Sequence, residues 1–205
     1  MINSARRMIG AVSVVCTVGA AGLLAPSISD AQANAVSPSL VSVHKSCSPS
    51  ALSRPFAPWW DFSPYELAPG GGFEASKWTL TGGAKRVAGS EPYAATGTRG
   101  SFSLSVPRGS SAQSPRTCVG ATYPTMRFFI ARKGSVVVSL RHGRSVIPVG
   151  IAVAGGRWAP TPVMVTLSPV LAVLSGGTAR VSVCFTGLSG RPRIDDVFID
   201  PWGHG

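Results

Sequence analysis

The run Ser101-Phe102-Ser103-Leu104-Ser105-Val106 decides the fold class. Phe102, Leu104 and Val106 alternate with three serines, and a period of two is the mark of a strand with one apolar and one polar face. It predicts one buried face and one wet face. Outward from this run, short apolar segments recur between Gly and Pro at intervals of roughly ten residues. The strand candidates are Lys77–Leu80, Lys85–Ala88, Thr125–Ala131, Ser135–Arg141, Val146–Ala154, Pro162–Leu167, Thr178–Phe185 and Arg193–Ile199. No stretch sustains a helical period, and Val170–Leu174 has room for one helical turn. About nine strands at this spacing predict an all-β fold, with two antiparallel sheets packed as a sandwich of jelly-roll type, because sheet edges must be paired or covered. Pro148 marks its strand as an edge or a bulge.

At the N-terminus, Arg6 and Arg7 precede an uncharged stretch from Met8 to Ala25 and then Ala31-Gln32-Ala33. Basic residues, an apolar region and a small-residue cleavage pattern are those of a secretory signal peptide, here residues 1–33. Residues 34–54, rich in Ser, Pro and Ala, read as a lead with little structure, and residues 55–205 as one sandwich domain. Processing removes two of nineteen basic residues and one of eight acidic ones, leaving 17 − 7 = +10. An exported chain of that charge meets polyanions: acidic wall polymers, lipid headgroups or nucleic acid. No nucleic-acid motif accompanies the charge, and no stable membrane span is expected after cleavage.

Of four cysteines, Cys16 leaves with the signal and Cys47, Cys118 and Cys184 stay. Export favours a disulfide. Cys47 and Cys118 lie in turn-like contexts and are expected to pair, closing a loop of about 70 residues worth roughly 4 kcal/mol in the chain-entropy account. Cys184 lies inside Val181-Ser182-Val183-Cys184-Phe185, opposite the face of the three apolar residues, and reads as a buried or half-buried thiol.

Titratable groups are sparse and scattered, which points away from an enzyme. His44, His142 and His204 have no local context of a buried base, and no serine sits in a Gly-x-Ser-x-Gly turn. No catalytic residue is assigned. A small secreted hydrolase taking Glu66, Glu74 or Glu91 with a C-terminal Asp stays formally open.

Three of the eight acids fall in the last eleven residues, within Arg193-Ile194-Asp195-Asp196-Val197-Phe198-Ile199-Asp200. Near the start of the domain Glu74 follows Gly71-Gly72-Phe73. Carboxylates and freed carbonyls are what Ca²⁺ takes as ligands. Gly-Gly-Phe-Glu four residues before Trp78, with a final Ile-Asp-Asp-Val strand, resembles the jelly-roll carbohydrate-binding modules with a galactose-binding-like fold. That resemblance implies a structural calcium held by Glu74 with Asp195 or Asp196. The alternative is salt bridging of these acids to Arg127, Arg191 or Arg193. Pro55-Phe56-Ala57-Pro58-Trp59 through Asp61 and Tyr65, with Thr117-Cys118-Val119-Gly120, Pro124–Phe129 and Ile194–Val197, also resembles uncharacterised secreted proteins of actinobacterial type, which implies no function.

Pyranose C–H faces stack on aromatic rings, so the exposed aromatics are the binding candidates. Trp59, Trp60 and Tyr65 cluster in a Pro-rich loop and Trp158 follows Gly155-Gly156-Arg157. These four are the expected ligand residues, and Trp78 the core one. Arg127, Arg132, Lys133, Arg141 and Arg144 are either a polyanion patch or a solvated strand face. The expectation is a secreted, non-catalytic, monomeric domain, associated with the exterior or the wall, that binds carbohydrate or an anionic cell-surface polymer. The alternative is a structural or interaction protein of the envelope without sugar binding.

Overall fold

A computed structural model describes residues 51–120 and 125–200. The strands are β1 (Leu52–Ser53), β2 (Tyr65–Leu67), β3 (Thr79–Thr81), β4 (Lys85–Ala88), β5 (Phe102–Ser105), β6 (Ser111–Gln113), β7 (Thr117–Gly120), β8 (Thr125–Ala131), β9 (Gly134–His142), β10 (Ser145–Ala154), β11 (Ala159–Pro160), β12 (Met164–Val165), β13 (Thr178–Gly190) and β14 (Arg193–Asp200). A 3₁₀ turn covers Ala57–Trp59 and a single helix, α1, covers Ser168–Leu174.

All pairings are antiparallel and fall into two sheets. In the first sheet β14 is central. β8 runs along one flank, while β5 pairs with its start and β2 with its end on the other. β4 and β1 extend that side, and β11 and β12 pair with the far edge of β8. In the second sheet β10, β9 and β13 lie side by side, with β6 and β7 on the far flank of β13 and β3 beyond β6. Two antiparallel sheets facing one core make the expected all-β sandwich.

The core follows the period of two. Met126, Phe128 and Ile130 of β8 face Val136, Val138 and Leu140 of β9 and Val181, Val183 and Phe185 of β13, all buried in one cluster. Trp78 joins it, stacked on Phe185 with centroids 5.5 Å apart. Pro148 behaves as its strand position requires: β10 is an edge strand and its register slips between Pro148 and Gly150. Cys184 is half-buried opposite Val181, Val183 and Phe185.

Two expectations are corrected. The serine face of β5 is not wet: Ser103 and Ser105 are buried. Ser103 Oγ donates to the Gly89 carbonyl at 2.7 Å and accepts from Arg193 Nε at 3.0 Å, so the hydroxyl is satisfied inside the protein instead of by water. The lead is also structured further back than expected, since Leu52 and Ser53 already pair with Glu66 and Tyr65.

A second, smaller cluster lies on the other face of β8 and β14. Phe56, Tyr65, Phe129 and Phe198 are buried together, with Trp59, Leu67, Ala95 and Trp158 packed against them. The first sheet is therefore covered on both faces. Its outer cover is the loop of the 3₁₀ turn together with the loop after Glu91, and both reach toward the candidate site.

Candidate functional site: an aromatic depression and the acids behind it

The turn Ala57–Trp59 ends at Trp60, which takes a left-handed conformation (φ 62°, ψ 21°) and donates its N–H to the Ala57 carbonyl at 3.0 Å. For a bulky residue this backbone is disfavoured. Its effect is to split neighbouring tryptophans. Trp59 turns in and packs edge-on against Tyr93 (4.8 Å) and Phe129 (5.5 Å), while Trp60 stays 87 % exposed with Phe62 edge-on to it at 6.4 Å. Trp59, Trp60, Asp61, Phe62, Ser63, Arg127 and Val163 line an open depression of about 690 Å³.

Arg127 and Asp61 form its polar side. Arg127 lies on the outer face of β8 between Met126 and Phe128, and is buried. Its Nη1 donates to Asp61 Oδ2 at 2.7 Å, its Nε donates to the Thr161 carbonyl at 2.9 Å, and its guanidinium lies 4.4 Å from the Phe56 ring centroid. Asp61 also accepts from Tyr65 Oη (2.8 Å) and from the Ser63 N–H (3.2 Å). Burial pushes the Asp61 carboxyl up, but these donors outweigh it and hold it below its ordinary value. Burial and donation to Asp61 push the Tyr65 phenol far above its usual range.

The four expected ligand residues thus part company. Trp59 and Trp60 share the depression. Tyr65 is buried beneath it and offers no face, because its hydroxyl is spent on Asp61. Trp158 is half-buried against the outer cluster, outside the depression, with its carbonyl accepting Tyr93 Oη at 2.8 Å. Arg127 is not part of a surface patch, whereas Arg132, Lys133 and Arg144 are exposed. The sequence reading missed Phe62, Ser63 and Val163. A local signal existed for part of this: Asp61-x-Ser63 is the spacing of an Asx turn, and an arginine set among apolar neighbours on a strand calls for a carboxylate.

The terminal acids sit behind this region. The register of β14 on β8 jumps from Asp195 opposite Phe129 to Phe198 opposite Arg127, so Asp196 and Val197 stand against the single residue Phe128. Asp196 takes a left-handed φ of 43° at this bulge. Ile194, Val197 and Ile199 can then all face the core, while Asp195 and Phe198 face out. The Gly71 loop docks here, the Val197 N–H donating to the Gly71 carbonyl at 3.2 Å. A Cβ on Gly71 would stand 2.7 Å from the Val197 carbonyl, so this approach requires glycine.

Asp195 is buried and accepts Ser90 Oγ (2.7 Å), the Glu91 N–H (2.9 Å) and the Asp196 N–H (2.9 Å). Glu91, fully buried, accepts the N–H groups of Tyr93 and Ala95. A chain of carboxylate-to-backbone bonds therefore runs from β14 to the loop that carries Tyr93. Burial raises the Asp195 carboxyl to about 6 against the pull of those donors. Asp196 is raised further, by burial and then by the charges of Asp195, Glu91 and Glu74. Among the described residues no salt bridge reaches these acids: Arg193 donates to the carbonyls of Ala88 and Gly89 and to Ser103, and Arg127 is taken by Asp61.

Fit to a calcium ion is partial. Glu74 Oε1 accepts the N–H groups of Ser101 and Phe102 (2.8 and 3.0 Å), and Asp195 is engaged through both oxygens. Asp196 Oδ1 lies beside Gly72, whose missing side chain leaves room there. No three His, Cys, Asp or Glu residues converge as a metal set among the described residues. Of the expected ligands, Glu74 and Asp195 are therefore taken up by donors of the chain itself, and Asp196 is the acid with space beside it. Cys118, on β7, is disulfide-bonded, and its expected partner Cys47 lies outside the described residues.

No protein-family model and no curated protein matches the sequence. Among solved structures the chain is similar to the enzymatically active domain of bacteriophage CBA120 tailspike protein 4, at 20 % identity over 64 % of this chain and 20 % of that one, with a TM-score of 0.42. It is similar to TmCBM61, solved with β-1,4-galactotriose, at 17 % identity over 63 % of this chain and 94 % of that one, with a TM-score of 0.42. The CBM22-1–GH10 modules of a Clostridium thermocellum xylanase, solved with xylohexaose, match at 16 % over 64 % and 27 %, with a TM-score of 0.45. At these identities and TM-scores the likeness carries nothing about ligand or activity. None of these matches supports the resemblance to actinobacterial-type proteins.

Proposed function

We propose that this is a non-catalytic carbohydrate-binding domain and that Trp59, Trp60 and Phe62, with Arg127 and Asp61 beside them, form its binding face. The observation that carries this reading is Trp60, 87 % exposed and presented outward by a left-handed backbone that is disfavoured for so bulky a residue. A ring so presented, over a wall fixed by the Arg127–Asp61 pair, offers the flat apolar surface on which a pyranose face stacks. The bonds from Asp195 through Glu91 to Tyr93 brace the inner tryptophan from behind. Trp158 stiffens the same wall through Tyr93.

Export, the Cys47–Cys118 bridge and a structural calcium at Asp196 complete the proposal. The first rests on the N-terminal pattern, the second on the disulfide-bonded state of Cys118, and the third on a buried carboxylate crowded by like charges.

The test is retention of the purified protein on a panel of insoluble polysaccharides, alongside Trp60→Ala. Wild type should be retained by at least one neutral glycan in 0.5 M salt, and the variant should elute early with an unchanged melting temperature. A folded wild type that no polysaccharide retains would sink the proposal.

A further inference from the structure

Between Glu91 and Asp195 the sequence has no Asp or Glu, against twelve Lys and Arg. Five of the six strands of the second sheet come from this stretch, and the sixth, β3, reads Thr79-Leu80-Thr81, so no strand of that sheet carries an acid. Its arginines have no carboxylate in their own sheet to pair with.

Alternation and register gather three of them on the outer face. Val181 and Val183 of β13, Leu140 of β9 and Val119 of β7 belong to the core, so Arg180, Ser182, Arg141 and Cys118 point away from it. Ser182 pairs with Arg141 on one flank of β13, and Arg180 with Cys118 on the other. Thr117 pairs with Val181, and one residue further that register sets Arg116 opposite Ser182. Arg141 and Arg116 thus flank Ser182 across β13, about 10 Å apart, and Arg180 follows about 7 Å along the strand.

Arg116 and Arg180 are exposed and Arg141 is half-buried. The Nε of Arg141 is buried without a hydrogen-bond partner, and among the described residues the only ion pair is that of Arg127 with Asp61. A buried guanidinium N–H calls for an acceptor, and like charges set side by side on a sheet call for a counter-charge.

We infer that this end of the second sheet binds an open-chain polyol phosphate, Arg141 offering its fork to one phosphodiester while Arg116 and Arg180 meet its neighbours along the chain. Guanidinium forks match phosphate oxygens two to two, and side chains rooted about 7 to 10 Å apart on a sheet meet repeated charges better than one small ion. Phe185 is the only Phe, Tyr or Trp in the six strands and it faces the core. The outer face of these strands therefore has no ring on which a nucleobase or a pyranose would stack, which disfavours nucleic acid and acidic polysaccharide. The site is separate from the aromatic depression and stands or falls independently of the glycan reading.

The experiment is calorimetric titration of the purified protein with poly(glycerol phosphate), oligothymidylate, polygalacturonate and inorganic phosphate. Wild type and Trp60→Ala should bind poly(glycerol phosphate) alike, with affinity falling roughly tenfold or more between about 50 and 200 mM salt. Arg116→Gln/Arg141→Gln/Arg180→Gln should weaken binding at least roughly tenfold. The charge-matched variant Arg132→Gln/Lys133→Gln/Arg157→Gln should change it little, because Lys133 lies about 25 Å from Arg141 along β9 and charges beyond about 10 Å are screened at 0.1 M salt. Arg116 and Arg180 are exposed, so Arg116→Gln/Arg180→Gln should melt like wild type and still bind several-fold more weakly, which separates the loss from unfolding. Equal losses in the two triple variants would reduce the effect to net charge and overturn the assignment. It would also be overturned by tighter binding of oligothymidylate or polygalacturonate, by displacement of the polymer with inorganic phosphate at equal phosphate concentration, by loss in Trp60→Ala, or by a wild type that does not bind.

Discussion

Asp61 and Asp196 are both carboxylates in crowded surroundings, kept there by opposite means. Asp61 has a guanidinium at 2.7 Å and two further donors, so its charge is compensated and its acidity strengthened. Asp196 has no salt-bridge partner among the described residues, three acids for electrostatic neighbours and a carboxyl pushed well up. One centre is closed and can serve as rigid scaffolding for the depression. The other is incomplete as a set of protein charges, and a proton or a cation must complete it.

Removing compensation from the closed centre should have the largest effect. Arg127→Leu strips the cation from Asp61, leaves the Thr161 carbonyl without its donor and loses the ring contact with Phe56. Breaking a buried pair by deleting one partner costs about 3 kcal/mol or more, so the urea midpoint should fall steeply. The double variant Arg127→Leu/Asp61→Leu should recover part of the loss. If Arg127→Leu alone were nearly neutral, the pair would be surface decoration and the wall of the depression would need another support.

Within the open centre, loss of an acceptor and loss of a charge should act in opposite senses. Asp195→Ala removes the acceptor from Ser90, Glu91 and Asp196 and should destabilise by about 1–3 kcal/mol. Asp196→Asn removes an unfavourable buried charge, so in chelator at pH 8 it should melt higher than wild type. Calcium should raise the wild-type melting temperature and leave Asp196→Asn unmoved. A wild type indifferent to both calcium and chelator would assign the site to a shared proton instead.

The two centres also predict opposite slopes with pH. The folded value of Asp195, about 6, lies above that of an unfolded carboxyl, so the native state binds more protons in between. Stability in chelator should then fall as pH rises from about 4 to 6, on the order of 2 kcal/mol, with Asp196 extending the decline upward. Asp61, depressed when folded, contributes stability at neutral pH that is lost as pH drops through its folded value. Denaturant midpoints at pH 4.5 and 7.5 read the first slope. A protein more stable at 7.5 than at 4.5 in chelator would contradict it.

What could be read from the sequence was whatever depends on alternation and local punctuation. β8 and β4 run over the expected residues, Pro148 sits at an edge and a slip, and Trp78 is in the core, because each follows from the side-chain period or from a missing N–H. Strict alternation misleads at β14. It would set Ile194, Asp196 and Phe198 on one face, whereas the bulge puts Ile194 with Val197 and turns Phe198 to the outer cluster. Nothing in Ile-Asp-Asp-Val announces the extra residue, since the bulge is fixed by β8 and by the Gly71 loop, both distant in sequence. The same limit applies to Arg127. Its partner lies sixty-six residues away in a loop whose path is set by Phe56 and Tyr65 filling the outer face of the sheet. Short pairings such as β1 on β2 carry no periodic signal and are selected by the neighbour they meet.

The smallest effect on stability, and the sharpest on function, should come at Trp60. Its side chain touches little, so its packing contributes almost nothing to the fold, and its left-handed backbone is a cost that glycine would not bear. Trp60→Gly releases that strain but enlarges the freedom of the unfolded chain, and the two partly cancel, leaving a change within about 1 kcal/mol of either sign. Trp60→Ala keeps the disfavoured backbone and should be no more stable than wild type. Both should lose glycan retention together. A scaffold residue such as Arg127 must instead lose binding only along with stability, through the loosened wall. Measuring melting temperature and retention for Trp60→Gly and Arg127→Leu side by side separates a side chain that meets the ligand from one that holds the surface in place. Equal retention losses at equal stability losses would remove Trp60 from the binding face.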